Sequence, residues 1–161
     1  MCNKHALKKK LTINQIFGPA GILECRLPNY EYRPSQEAMA EAVLRAIHHQ
    51  EHLCVEAGTG TGKTLAYLIP ALFSQKRVII STATRNLQDQ IFFKDIPFIR
   101  KHIFPNLAAT YMKGRYNYLC LKRLREEMAQ ETITKTMKSK MQLVGDWINE
   151  TETGDRAELD W

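Results

Sequence analysis

Eight consecutive residues, 57–64, have the composition of a loop that binds the phosphates of a nucleotide. They are Ala57, Gly58, Thr59, Gly60, Thr61, Gly62, Lys63 and Thr64. Glycines let the backbone turn tightly and direct its N–H groups at an anion. In the pattern G-x-x-x-x-G-K-[ST], the lysine reaches the β- and γ-phosphates and the hydroxyl binds Mg²⁺, which assigns these roles to Lys63 and Thr64. The first position departs from the pattern, because Ala57 replaces glycine.

The residues around this loop predict the elements that such a loop needs. Residues 53–55 form a short apolar run suited to a buried strand, and residues 65–73 carry apolar side chains at helical spacing. Residues 77–81 contain three consecutive β-branched residues and predict a second strand, and residues 107–112 predict a third. Strand, loop, helix and strand make a βαβ unit. The predicted fold class is therefore α/β, with a parallel sheet flanked by helices.

Helical periodicity also occurs outside this unit. Residues 39–47 carry an amphipathic stripe that begins shortly after Pro34, a residue that suits the first turn of a helix. Residues 121–128 and 137–148 show similar spacing, and residues 86–93 predict a short helix. Residues 11–33 contain several glycines and prolines, so we expect them to be mostly irregular.

Length and composition fit a soluble globular chain. The 161 residues suit a single domain, and 44% hydrophobic with 25% charged residues is an ordinary balance. The longest apolar stretch, Leu65–Phe73, is too short to cross a bilayer, and no secretory signal is apparent near the start. The four cysteines have no zinc-site spacing and are expected to be reduced thiols in a cytoplasm.

The net charge of +6 favours an anionic partner. Cationic side chains concentrate between residues 113 and 125, with tyrosines beside or between them: Lys113, Arg115, Lys122, Arg123 and Arg125, with Tyr111, Tyr116 and Tyr118. Cations that neutralise phosphates and rings that stack on bases are the composition of a surface for single-stranded nucleic acid. A solvated charged face beside buried tyrosines explains the same composition equally well.

The predicted elements fall short of a complete nucleotide-hydrolysing domain. Three strands are few for such a core, where sheets usually have about five. After Thr64, no apolar run ends in an acidic pair that could hold Mg²⁺. We therefore expect the chain to be the front piece of a larger enzyme.

Four segments, in this order along the chain, resemble motifs of the DinG branch of superfamily-2 helicases, relatives of XPD. Tyr30–Gln36 resembles the adenine-reading element, and Glu56–Tyr67 resembles motif I, in which alanine is a common first residue. Ser81–Gln90 is similar to motif Ia, which binds single-stranded DNA. Lys113–Cys120 resembles the segment that carries the first cysteine ligand of an iron–sulfur cluster. The resemblance extends from about Ile16 to Arg125.

The resemblance implies a RecA-like helicase domain 1 of the P-loop NTPase class, incomplete, followed by the start of an iron–sulfur cluster domain. The implied divisions are an N-terminal extension over residues 1–33, the ATP-binding domain over 34–112 and the cluster insertion over 113–161. The complete protein would be an ATP-dependent 5′-to-3′ DNA helicase that binds ATP and single-stranded DNA. It would be monomeric and cytoplasmic, nucleoid-associated in a bacterium, with no membrane partner.

The resemblance also implies roles for individual residues. Gln36 would recognise adenine with Tyr32 and Arg33 in support, and the lesser alternative for Gln36 is a polar residue at a helix start. Contacts to single-stranded DNA would come from Thr82, Thr84, Gln88, Lys113, Arg115 and Lys122. Thr64 would bind Mg²⁺, and Cys120 would ligate a [4Fe–4S] cluster in the complete protein.

The chain also departs from the family pattern. A [4Fe–4S] cluster needs four thiolates, and only Cys120 lies at a matching position. The DEAH-like box, the second RecA-like domain and the arginine finger are absent from these residues, so the fragment alone is expected to be inactive. One alternative is a truncated module that binds nucleotide or nucleic acid without turnover. Another is a P-loop kinase or transporter ATPase, against which the adenine-reading element and the Cys120 segment argue.

Overall fold

The computed structural model describes residues 11–129 and 134–159. The first ten residues of the predicted N-terminal extension lie outside this range. The chain divides into two compact units, with the boundary between Thr110 and Tyr111. None of the described helices is both long enough and apolar enough to cross a membrane.

The first unit is built from helices. They are α1 (Ile13–Phe17), α2 (Ile22–Arg26), α3 (Pro34–His49), α4 (Lys63–Phe73), α5 (Arg85–Gln90) and α6 (Ile96–His102), with a π-helical turn, Ile91–Asp95, joining α5 to α6. The predicted helices over residues 39–47, 65–73 and 86–93 are confirmed. The structure places Pro34 in the first turn of α3, where its missing N–H costs no helical hydrogen bond.

Residues 11–33 contain two short helices, α1 and α2, and the larger part of the segment is irregular, as expected. Thr12 caps α1 through a capping box, in which its side chain accepts from the Gln15 backbone and the Gln15 side chain accepts from the Thr12 backbone. The glycines and prolines lie at the turns between the helices rather than within them. Ile16, Phe17 and Leu23 are fully buried. This segment is therefore part of the core.

The hydrophobic core of the first unit joins the N-terminal helices to those around the phosphate loop. Its fully buried side chains include Ile16, Phe17, Leu23, Leu68, Ile69 and Ile99. Leu68 and Ile69 are on α4, the helix that begins in the loop 57–64. Packing of α4 into this core therefore fixes the position of the loop's C-terminal end.

The three predicted strands are not found. Residues 53–55, 77–81 and 107–112 form no helix, but within the described ranges no residue is assigned to a β-strand. A strand exists only when its backbone bonds a neighbour, and consecutive strands in a parallel sheet are not always neighbours. Apolar side chains of these segments face solvent, and Ile79 is 88% exposed. The sheet therefore remains a prediction.

The described part of the second unit, residues 111–129 and 134–159, contains two helices and two 3₁₀ turns. They are the 3₁₀ turn Arg115–Asn117, α7 (Leu121–Met128), α8 (Lys135–Ile148) and the 3₁₀ turn Arg156–Glu158. The helices predicted over residues 121–128 and 137–148 are confirmed. A single antiparallel bridge pairs Tyr118 with Asp155, and the Leu119 N–H donates to the Gly154 carbonyl at 3.0 Å. These contacts hold the segment before α7 against the segment after α8.

Candidate nucleotide site and nucleic-acid interface

The loop 57–64 adopts the backbone that its glycines predict. Gly60 and Gly62 have φ angles of 77° and 78°, in the left-handed region that glycine adopts without a steric penalty. Gly62 is the N-cap of α4, and Lys63 is the first residue of that helix. The free N–H groups and positive dipole end of a helix N-terminus favour a bound anion. The loop therefore ends at a position suited to phosphate.

The Lys63 side chain folds back over this loop. Its Nζ donates to the carbonyl of Ala57 at 2.7 Å and to that of Gly58 at 2.5 Å. The Thr61 hydroxyl also donates to Gly58 O, at 3.0 Å. The ammonium is thus held against the loop backbone by two neutral carbonyl groups. A phosphate is a stronger acceptor for this cation than either carbonyl, because charge-assisted hydrogen bonds are the stronger kind.

Thr64 is the second residue of α4, three residues before Tyr67. Burial raises the pKa of the Tyr67 hydroxyl, the neighbouring Thr64 hydroxyl lowers it, and the negative charge of Asp95 raises it. A threonine hydroxyl has oxygen lone pairs that can bind a cation. The position of Thr64 therefore fits the predicted Mg²⁺ ligand.

The predicted adenine-reading element, Tyr30–Gln36, bonds directly to the loop 57–64. Nε2 of Gln36 donates to the carbonyl of Gly62 at 3.0 Å, and the Arg33 guanidinium donates to the carbonyl of Gly60. Gln36 is 4% exposed, and its Oε1 accepts from the Tyr30 hydroxyl at 2.8 Å. The two glycines of the loop 57–64 that have positive φ, Gly60 and Gly62, are therefore the two whose carbonyls accept these bonds. The sequence patterns gave no signal of this link, because 26 residues separate Gln36 from Gly62.

Tyr32 contacts a different partner. Its hydroxyl donates to Oε2 of Glu37 at 2.8 Å, and this bond is the first cause of a raised Tyr32 pKa. The other Glu37 oxygen accepts from Nδ2 of Asn14, also at 2.8 Å. Tyr32 therefore supports the adenine-reading element through α3 and α1. Sequence reasoning missed Asn14 and Glu37, since neither belongs to a motif.

Asp95 is another residue that the motifs did not indicate. It is buried at the end of the π-helical turn, and burial raises its pKa. Oδ2 of Asp95 accepts a long hydrogen bond, 3.4 Å, from Nε2 of Gln90. Its negative charge raises the pKa of the Tyr67 hydroxyl. A π-helical turn is frequent at functional sites, but its sequence carries no helical-period signal of its own.

The predicted motif Ia residues lie around the start of α5. Thr84 is the N-cap, and its hydroxyl oxygen accepts from the Leu87 N–H at 3.4 Å. The Thr82 hydroxyl oxygen accepts from the Thr84 N–H, also at 3.4 Å. Thr84 is exposed, whereas Thr82 and Gln88 are half-buried. The structure thus brings Thr82 and Thr84 together in one capping turn.

Lys113 forms a buried ion pair. Its Nζ lies 2.7 Å from Oδ2 of Asp155, and the two side chains are 7% and 4% exposed. The Lys113 N–H donates to the Tyr118 hydroxyl at 2.8 Å, and Asp155 Oδ1 accepts from the Ala157 N–H at 3.0 Å. A buried, neutralised ammonium is unsuited to a phosphate of DNA. The prediction that Lys113 contacts DNA is therefore corrected: its buried ion pair with Asp155 gives it a structural role.

Replacing Asp155 with asparagine should destabilise the second unit by about 3–5 kcal/mol, because it leaves the Lys113 ammonium buried without its anionic partner. Urea unfolding, followed by circular dichroism, measures the effect. The matched control is Glu126→Gln, which breaks the exposed Lys122–Glu126 pair at 3.8 Å and should change the free energy of unfolding by less than about 0.5 kcal/mol. Equal effects of the two variants would contradict the structural role of Asp155.

Arg115 and Lys122 are exposed, as a DNA-contacting surface requires. The Arg115 guanidinium lies 5.8 Å from the ring centroid of Tyr116, and this ring is 81% exposed. The Tyr118 hydroxyl, in contrast, is bonded to the backbone of Lys113. Of these two tyrosines, Tyr116 is the ring available for stacking on a base.

Cys120 is the exposed N-cap of α7. Among the residues that the structure describes, no group of three or more His, Cys, Asp or Glu side chains is placed to hold a metal ion. The residues present therefore do not form the four-thiolate site that a [4Fe–4S] cluster needs.

The sequence matches the DEAD/DEAH box helicase family over residues 33–145. The chain belongs to the DEAD/DEAH box helicase family. The matched region begins in the adenine-reading element and includes the phosphate loop and the basic stretch 113–125. It confirms the predicted helicase family, whose members are ATP-hydrolysing P-loop NTPases.

Curated relatives of this DEAD/DEAH box helicase chain carry DinG and YoaA names. The chain is 44% identical over 147 residues to the ATP-dependent DNA helicase YoaA of Haemophilus influenzae, covering 91% of the chain and 23% of the relative. It is 42% identical over 139 residues to the 3′-5′ exonuclease DinG of Bacillus subtilis, covering 83% and 15%. It is 44% identical over 108 residues to the ATP-dependent DNA helicase DinG of Salmonella typhimurium, covering 63% and 15%. These names confirm the predicted resemblance to DinG.

The chain spans between 15% and 23% of the length of these three relatives. No solved structure matches it.

Proposed function

We propose that this chain is the N-terminal part of an ATP-dependent 5′-to-3′ DNA helicase of the DinG and YoaA type, called the complete helicase below. The observation that carries the proposal is the geometry of the loop 57–64. Its glycines at 60 and 62 have positive φ, and Lys63 begins α4 with its ammonium on the loop backbone. The DinG and YoaA relatives support the helicase assignment.

In this proposal the loop holds the triphosphate of ATP. Backbone N–H groups of residues 57–62 surround the phosphates, and Lys63 exchanges its carbonyl partners for the β- and γ-phosphates. Thr64 is the residue of this chain that fits Mg²⁺, which would neutralise charge on the phosphates when bound. Gln36 reads the adenine edge, while Arg33 and Tyr32 support the segment that carries it.

We further propose that residues 53–55, 77–81 and 107–112 are strands of a RecA-like parallel sheet in the complete helicase. Their neighbours would be strands from elsewhere in that protein. The exposed apolar side chains of these segments, among them Leu53, Val55, Val78 and Ile79, support this proposal. Isolated, such segments present unpaired edges that favour aggregation.

The proposed DNA surface has two parts, each considered within its own unit. In the first, the hydroxyls of Thr82 and Thr84, with Gln88, contact the sugar–phosphate backbone, which positions a strand without reading its sequence. In the second, Arg115 and Lys122 neutralise phosphates, and the exposed Tyr116 ring stacks on a base.

Charge reversal at Arg115 and Lys122 together should weaken binding of single-stranded DNA by the complete helicase. It should also reduce the slope of log K against log salt by about 1.4, since each lost contact with a single strand contributes about 0.7. Fluorescence anisotropy with a labelled oligonucleotide, over a series of salt concentrations, measures both quantities. The control is Lys135→Glu with Lys138→Glu, two exposed positions on α8, which changes the net charge equally. An unchanged salt slope in the Arg115 and Lys122 variant would indicate that these two side chains form a solvated charged face and do not contact DNA.

We propose that Cys120 is an iron–sulfur ligand in the complete helicase only. The other thiolates would come from residues of the complete helicase that are not among these 161. The exposed position of Cys120, at the N-cap of α7, supports access to a partner ligand set. In the present chain the thiol would be unoccupied. Iron analysis and visible absorbance of both proteins, purified without oxygen, distinguish the two states.

The proposed function is tested by ATP hydrolysis and strand separation. The complete helicase should hydrolyse ATP with Mg²⁺, be stimulated by single-stranded DNA and unwind a duplex with a 5′ overhang. It would act as a monomer on chromosomal DNA, in the cytoplasm and at the nucleoid if bacterial.

A second candidate is a module that binds nucleotide or nucleic acid without turnover, favoured by the small fraction of the relatives that the chain spans. The 161-residue chain should then bind nucleotide but not hydrolyse it, whether or not DNA is present. Robust DNA-stimulated turnover by the chain alone would contradict this candidate.

A further inference from the structure

Tyr30 fixes one end of the Gln36 amide. Its hydroxyl donates to Oε1 of Gln36 at 2.8 Å, while Nε2 of Gln36 donates to the Gly62 carbonyl at 3.0 Å. A carbonyl can only accept hydrogen bonds, so the reversed amide would place Oε1 against another acceptor. The Gly62 carbonyl therefore sets which end of the amide carries the nitrogen. The Tyr30 hydroxyl, which donates to Oε1, holds the other end in place.

The amide retains unused hydrogen-bonding capacity. Nε2 has a second N–H and Oε1 a second lone pair, and in the described part of the chain no other protein group bonds to them. A glutamine amide in a fixed orientation is complementary to adenine, which offers N7 as acceptor beside the N6 amino group as donor. A purine with oxygen at C6 offers two acceptors instead, and one of them would face the amide oxygen.

We infer that Tyr30 is a positioning residue that orients the Gln36 amide and thereby gives the nucleotide site its preference for adenine. The inference rests on the proposed function, because it takes residues 57–64 as the phosphate-binding loop. The Tyr30 hydroxyl also lies 3.4 Å from the Phe17 carbonyl, a more distant acceptor than Gln36. Without the hydroxyl, only the bond to Gly62 remains to orient the amide.

The test is Tyr30→Phe in the complete helicase, with ATP and inosine triphosphate compared as substrates. Inosine triphosphate differs from ATP at purine C6, where oxygen replaces the amino group. We expect the ratio of kcat/KM for ATP to that for inosine triphosphate to fall by about threefold to tenfold, the effect of one hydrogen bond. The change should lie mainly in KM for ATP. Gln36→Ala should remove the remaining preference.

The matched comparison is Tyr32→Phe, which removes a hydroxyl two residues away that bonds Glu37 instead of Gln36. The ratio of kcat/KM for ATP to that for inosine triphosphate should change less in Tyr32→Phe than in Tyr30→Phe. Thermal unfolding of both variants shows whether they remain folded at the assay temperature. The inference would be overturned if Tyr30→Phe raised KM equally for ATP and inosine triphosphate, or left the ratio of their kcat/KM values unchanged. It would also be overturned if Tyr32→Phe changed this ratio as much as Tyr30→Phe does. Failure of the unmodified protein to hydrolyse ATP would contradict the proposed function instead.

Discussion

Replacing Lys63 with alanine should lower kcat/KM for ATP by about 100-fold or more in the complete helicase. Lys63 is the only charged residue in the loop 57–64. A fixed charge aimed at phosphate stabilises the transition state by an amount that corresponds to about 10²–10³ in rate. Steady-state hydrolysis with saturating single-stranded DNA gives kcat and KM separately. We expect both to change, because the same cation binds the ground state and the transition state.

The fold should tolerate this change. The Lys63 ammonium bonds only to the carbonyls of Ala57 and Gly58, in a loop that water can reach. The control is Lys76→Ala, an exposed lysine beyond the other end of α4, which should retain the parental kcat/KM. Parental ATP hydrolysis by Lys63→Ala would show that the loop 57–64 is not the catalytic phosphate site.

Gly62→Ala should abolish nucleotide binding and destabilise the first unit. The backbone of Gly62 has φ 78°, a conformation that costs an L-residue about 1–2 kcal/mol. An added Cβ would also lie 2.8 Å from Cδ of Gln36 and closer still to its Nε2, so the buried amide must leave the Gly62 carbonyl. The total loss in the free energy of unfolding should be about 2–4 kcal/mol. Urea unfolding and titration with a fluorescent ATP analogue measure the two effects.

Two further variants distinguish the backbone strain of the positive φ at Gly62 from the steric clash of an added Cβ with Gln36. Gly58→Ala adds a Cβ that meets no described atom within 4 Å, so it should leave the free energy of unfolding nearly unchanged. The double variant Gly62→Ala with Gln36→Ala removes the collision but keeps the positive φ. It should be more stable than the sum of the single changes predicts, as expected for residues in contact. Additive effects would contradict the close approach of Gln36 to Gly62.

The local signals in the sequence predicted the loop and the helices well. Glycine spacing anticipated the turns at Gly60 and Gly62, and apolar periodicity anticipated α3, α4, α7 and α8. Both signals depend on residues that are close in the chain. Glycine and proline also anticipated that residues 11–33 are mostly irregular, but they gave no signal of the two short helices that these residues separate.

The contacts between distant residues could not be predicted in the same way. The sequence marked Lys113 as a free cation, but an acid 42 positions later neutralises it in a buried pair. The sequence offered adenine recognition or a polar helix start for Gln36, and neither interpretation included its bond to the Gly62 carbonyl. Strand composition at residues 77–81 predicts an extended chain but cannot supply a neighbouring strand. Each case depends on a partner that a short motif does not contain.

The short N-terminal helices limit how far the chain can be trimmed. Ile13, Ile16 and Phe17 are buried in the same core as α4, and Asn14 bonds Glu37 beside the adenine-reading element. A shortened version that starts at Pro34, where motif boundaries alone would place the cut, would expose this core and remove the support of α3. Proteolytic cleavage within residues 12–17 should therefore be slow, because Ile13, Ile16 and Phe17 are buried. The useful boundary for a minimal nucleotide-binding piece lies before Thr12, not at the start of α3.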